Sequence, residues 1–134
     1  MRRTNLTITT KNKQNLQQAR AITKGTMTPS FIINTLLLDI FYTNDRIQKE
    51  ITTKYLVEEI GEPRPRVAGT VSCTFRACDP VSLVLPNIKE LTSKKYNPST
   101  LVDAALDNFF DSDNDSKEPL TRKELWKMLA EYQQ

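Results

Sequence analysis

TNLTITTKNKQNLQQARAITKGTMTPSFIINTLLLDIF (residues 4–41) and CTFRACDPVSLVLPNIKELTSKKYNPSTLVDAALDNFF (residues 73–110) superimpose at a constant offset of 69 with no gap. Each opens on an alternating segment. Leu6 and Ile8 flank Thr7 in the first copy, and Cys73, Phe75 and Ala77 are separated by Thr74 and Arg76 in the second. Period-two alternation is the mark of a strand with one buried face.

A helix-length segment follows in both copies. Leu16, Ala19 and Ile22 recur every third residue in the first, and Leu85, Ile88 and Leu91 take the equivalent places in the second. Thr10-Lys11 opens the first of these helices. Asp79-Pro80 opens the second, read as an N-cap followed by a proline at the first helical position. The pattern breaks at Gly25 and at Lys94-Lys95, so a lysine has to take a backbone position that glycine fills in the first copy. Thr28-Pro29-Ser30 and Asn97-Pro98-Ser99 then start another helix in each copy, with a capping residue before proline. Those helices carry Ile32, Ile33, Leu36, Leu37 and Ile40, matched by Leu101, Val102, Ala105, Leu106 and Phe109.

Strand, helix, turn, capped helix, twice over, resembles the ribbon-helix-helix (MetJ/Arc-like) family of DNA-binding proteins. The resemblance covers residues 3–42 and 72–110. It implies a mainly α fold with a short antiparallel β-ribbon, a tandem ribbon-helix-helix pseudo-dimer in one chain. It further implies that outward strand residues read the major groove, while the start of each second helix meets phosphate. Parity makes Arg3, Asn5, Thr7, Ser72, Thr74 and Arg76 the base-reading candidates, because Leu6, Ile8, Cys73, Phe75 and Ala77 occupy the other face. Arginine can donate twice to guanine, asparagine can pair bidentately with adenine, and threonine offers a hydroxyl and a methyl. Thr28, Ser30, Asn97 and Ser99, with Lys11 and Lys24, are the phosphate-binding candidates. The two outward sets differ, so one chain is expected to read an asymmetric site, and further copies could occupy neighbouring sites. Single-chain members resemble the TraY-like accessory proteins of conjugative plasmids, which implies a relaxosome role at a transfer origin. A transcriptional repressor and a plasmid-partition adaptor are the alternatives.

The expected organisation is a first unit over residues 1–42, a helical linker and proline-rich connector over 43–68, a second unit over 69–111, and an acidic loop with a C-terminal helix over 112–134. Ile47, Ile51, Tyr55, Leu56 and Ile60 are spaced for one helical stripe across 43–62. Glu62-Pro63-Arg64-Pro65-Arg66 reads as extended, and its arginines could touch phosphate. Alternating aspartates from Asp111 to Asp115 imitate the start of a calcium loop. The remainder fails, with Ser116 where glycine belongs and Arg122 where a bidentate glutamate belongs. Thr121 with Glu124 forms a capping box for a last helix carrying Leu125, Trp126, Met128, Leu129 and Tyr132, which could close the core or dock a protein partner.

Composition narrows the functional classes. The chain has no histidine and only three glycines, which argues against histidine acid–base chemistry, mixed Cys/His zinc sites and a phosphate-cradling glycine loop. No enzyme activity, cofactor or metal is expected. Cys73 and Cys78 read as small apolar residues of a reducing compartment. Without an apolar span or a signal-like N-terminus, the expectation is a cytoplasmic protein with no membrane partner. Net charge is only +3, but residues 1–38 hold Arg2, Arg3, Lys11, Lys13, Arg20 and Lys24 with no acid, and aspartates crowd residues 103–118. One basic face meeting a polyanion fits that asymmetry. A non-DNA interaction protein, with a calcium-responsive acidic loop, is the competing class.

Overall fold

Strands β1 (Arg2–Thr9) and β4 (Thr70–Ala77) pair antiparallel as a two-stranded ribbon. The computed structural model describes residues 2–43, 46–63, 69–111, 126–127 and 129–130. Around the ribbon the fold is mainly helical: α1 (Thr10–Ile22), α2 (Pro29–Phe41), α3 (Thr53–Ile60), α4 (Asp79–Val84), α5 (Ile88–Leu91) and α6 (Pro98–Asp111). In the ribbon register Asn5 lies opposite Thr74, residues separated by the repeat offset itself, so the pairing is centred on equivalent positions.

Each strand alone would leave both backbone edges open and could bury only one side-chain face. Pairing answers the first problem and the helices answer the second. Leu6, Ile8, Cys73, Phe75 and Ala77 are all buried, packed in one cluster with Leu16, Ile32, Ile33, Leu36, Val81, Leu85, Ile88, Leu101, Val102, Leu106 and Phe109. Burial raises the Cys73 thiol pKa, as expected for a thiol used as packing.

The turns between helices repeat bond for bond. Buried Thr23 donates its hydroxyl to the Ala19 carbonyl and accepts from the Met27 amide. Buried Thr92 does the same with Ile88 and Tyr96. The Gly25 amide donates to the Arg20 carbonyl at 2.8 Å, and the Lys94 amide to the Lys89 carbonyl at 2.7 Å. Gly25 has φ +85°, and Lys94 takes the equivalent left-handed position at φ +70°. Side-chain oxygens of Thr28 and Asn97 cap α2 and α6 by accepting from Phe31 and Thr100 amides.

Three local expectations are corrected. Thr9 rather than Thr10 caps α1, and Cys78 stands at the N-cap of α4 with no side-chain cap bond, so Asp79 is already in the first turn. The first helix of the second copy is interrupted by a 3-10 turn at Leu85–Asn87, because Pro86 brings no amide to the helical ladder. Leu91 beyond it stays exposed.

The continuous helix over residues 43–62 does not form. A small hairpin of β2 (Tyr42–Thr43) and β3 (Ile47–Gln48) precedes α3, and Ile47 is 68% exposed. The reason lies in the last carbonyls of α2. Phe41 accepts from the Lys49 amide, Asp39 from the Lys49 ammonium, and Ile40 from the Tyr55 hydroxyl, so folding back caps the helix end. Thr52 then caps α3 by accepting from the Tyr55 amide. The 64–68 part of the connector, with Arg64 and Arg66, and the acidic loop with the start of the last helix lie outside the described residues. Of that last segment, Leu129 is buried and Trp126 meets Phe31 edge-on, with ring centroids 6.3 Å apart.

Candidate nucleic-acid interface

The ribbon's second face is polar and open. Arg3, Asn5, Thr7, Ser72, Thr74 and Arg76 are all exposed, and the register sets them in three cross-strand pairs: Arg3 with Arg76, Asn5 with Thr74, Thr7 with Ser72. The backbone amides of Thr7 and Arg76 point away from the partner strand, donating to Ser99 Oγ and Ser30 Oγ, each at 2.9 Å. These pairs are therefore the non-hydrogen-bonded kind, whose Cα atoms approach to about 4.5 Å and whose side chains crowd.

At the centre, the Asn5 amide oxygen accepts from the hydroxyls of both Ser72 and Thr74 at 2.9 Å. Those two bonds occupy the oxygen and leave the amide NH2 to donate. Bidentate pairing of Asn5 with adenine, expected from residue type, requires both hydroxyls to let go.

The starts of α2 and α6 flank the ribbon on opposite edges. Ser30 and Ser99 are half-buried and hold the strand edges, so each is first a latch, though a hydroxyl that accepts retains its own proton to donate. Thr28 and Asn97 are N-caps whose side-chain oxygens serve their own helices. Beside β1 an open groove of about 560 Å³ runs between the strand, Ser82, Pro86 and the α6 start at Asn97 and Ser99. Lys24 is exposed in the turn before α2 with φ +54°, and Lys11 is exposed at the start of α1.

Residue types alone did not single out the helix residues that position the ribbon. Asn34 on α2 accepts from the Cys78 amide at 3.0 Å and donates to the Arg76 carbonyl at 2.8 Å. Asp103 on α6 stands 69 residues later. Its carboxylate accepts from the Thr9 amide at 3.1 Å and the Thr9 hydroxyl at 3.2 Å. Asn12 adds a donor to the same oxygen at 2.6 Å, and Asp103 is only 6% exposed. Each second helix thus grips the strand of the other copy. The available signal was a polar residue at matching places inside two apolar helices. Lys94, exposed in the turn before α6, is a further basic group near a helix start.

Among the described residues no helix is long and apolar enough to cross a membrane. Comparison with protein-family models, curated proteins and solved structures finds no match.

Proposed function

We propose that the chain is a tandem ribbon-helix-helix pseudo-dimer that binds double-stranded DNA, with the β1–β4 ribbon lying in the major groove. The observation that carries this reading is the face formed by Arg3, Asn5, Thr7, Ser72, Thr74 and Arg76. It is a two-stranded polar surface, exposed along its length and braced from below by helices. A two-stranded ribbon fits a groove about 12 Å wide, and these side chains are of the kinds that discriminate base edges there. The starts of α2 and α6, on either side, offer helix N-termini and hydroxyls to the flanking phosphates, which sets position rather than sequence. Lys11, Lys24 and Lys94 add charge of no sequence preference.

Selection of bound duplexes from a random pool, at two salt concentrations, tests the reading. A recurring motif at both salts, with weaker total capture at the higher one, supports it. Capture without any motif, or no capture at all, refutes major-groove reading. For the biological setting we propose a plasmid-transfer accessory role, which rests on the resemblance to TraY-like proteins. A relaxase gene beside this one supports that role, whereas a toxin or partition-filament gene favours the repressor or partition adaptor.

A further inference from the structure

We propose that the ribbon is polarised, so that both arginines read guanines at one end of the site and the other end is read without arginine. This rests on the DNA-binding reading above. Under the repeat offset, Arg3 corresponds to Ser72 and Thr7 to Arg76, which would place one arginine in each half of the chain's pattern. Antiparallel pairing reverses that impression. Arg3 and Arg76 face each other across the ribbon, as do Thr7 and Ser72 at the opposite end.

Like charges directly opposite one another on a strand pair are unfavourable, and this pair is of the crowded, non-hydrogen-bonded type. Among the described residues no carboxylate pairs with either guanidinium. The arrangement becomes favourable against a polyanion whose groove presents acceptors. Guanine N7 and O6 are the double acceptor a guanidinium matches. Two arginines from opposite strands of the ribbon then reach neighbouring base pairs at one end. Asn5 stands between the ends, and with its oxygen held by Ser72 and Thr74 it offers only donors, which suits guanine or thymine at the middle of the site. The Thr7–Ser72 end carries hydroxyls and no cation, and the Ser72 hydroxyl already donates to Asn5. The site read by one chain is consequently non-palindromic and the protein binds it in one orientation.

The test is the same duplex selection run on the full chain, on Arg3→Ala, on Arg76→Ala and on the double exchange Thr7→Arg with Arg76→Thr, each checked for an unchanged circular dichroism melt. The wild type should return a motif with guanines at one end. Arg3→Ala and Arg76→Ala should relax adjacent base pairs at that same end, each by roughly 5- to 150-fold in discrimination. The exchange, which moves one arginine to the far end, should return guanines at both ends. A palindromic wild-type motif, or single variants that relax opposite ends, overturns the polarity while leaving DNA binding intact. Failure of the wild type to select any motif overturns both.

Discussion

Replacing Asp103 with alanine removes the group that ties the end of β1 to α6. One carboxylate oxygen receives the Thr9 amide, the Thr9 hydroxyl and the Asn12 side-chain amide. With only 6% of the residue exposed, little water is present to replace those bonds. Hydrogen bonds to charged groups contribute about 1.5–3 kcal/mol apiece, but three that share one acceptor do not add, so roughly 2–4 kcal/mol is expected. Asp103→Asn should be milder, costing roughly 1 kcal/mol, because it keeps an oxygen for the Thr9 amide. Asn34 already does this for Cys78 at the equivalent place. Urea unfolding followed by circular dichroism reads the difference. With a slope of roughly 1.5 kcal/mol per molar, the alanine variant's midpoint should fall by about 1.3–2.7 M and the asparagine variant's by less than about 1 M. Equal losses for the two variants, or an alanine loss below about 0.5 M, would refute the idea that α6 grips the ribbon through this carboxylate.

The helix-to-helix turns give a pair of opposite effects. Lys94→Gly should stabilise by roughly 0.5–1 kcal/mol by relieving its left-handed backbone, and Gly25→Ala should destabilise by roughly 1 kcal/mol, measured by the same melts. No atom lies within 4 Å of a Cβ added at Gly25, so the loss there is conformational rather than steric. Half-buried Cys78 should react with a thiol reagent in the folded protein while buried Cys73 waits for unfolding. Comparable labelling rates would count against the strand parity. Burial raises the pKa values of Cys73, Tyr55 and Tyr96 in the folded chain. The unfolded chain then releases those protons first, so stability should decline as pH rises above about 9 and hold below it. A flat stability between pH 8 and 10.5 would contradict their burial.

The strand faces were legible because alternation is local: Leu6 and Ile8 against Thr7, and Phe75 between Thr74 and Arg76, can face the core in only one parity. The helix starts were legible for the same reason, since Thr28-Pro29 and Asn97-Pro98 carry their own capping chemistry. Residues 43–62 misled because Ile47 fits a helical spacing with Ile51, whereas the chain's course is decided by the carbonyl groups at the end of α2 that Lys49 and Tyr55 cap. No periodicity contains that information. Asn34 and Asp103 were hidden similarly, as polar residues in apolar helices whose partners, Cys78 and Thr9, are distant in sequence. Of the candidate site, membership of the polar face could be read from the sequence. Which residues meet across it, with arginine opposite arginine, depends on register, and register emerges only when both strands are in place.

Groove choice can be settled chemically on a selected duplex. Replacing its guanines with 7-deazaguanine deletes a major-groove acceptor, and replacing them with inosine deletes the minor-groove amino group. Binding measured at one fixed salt concentration should weaken by tenfold or more with the first duplex and stay within about threefold with the second. Loss on inosine with full affinity for 7-deazaguanine would place the protein in the minor groove and end the case for a base-reading ribbon.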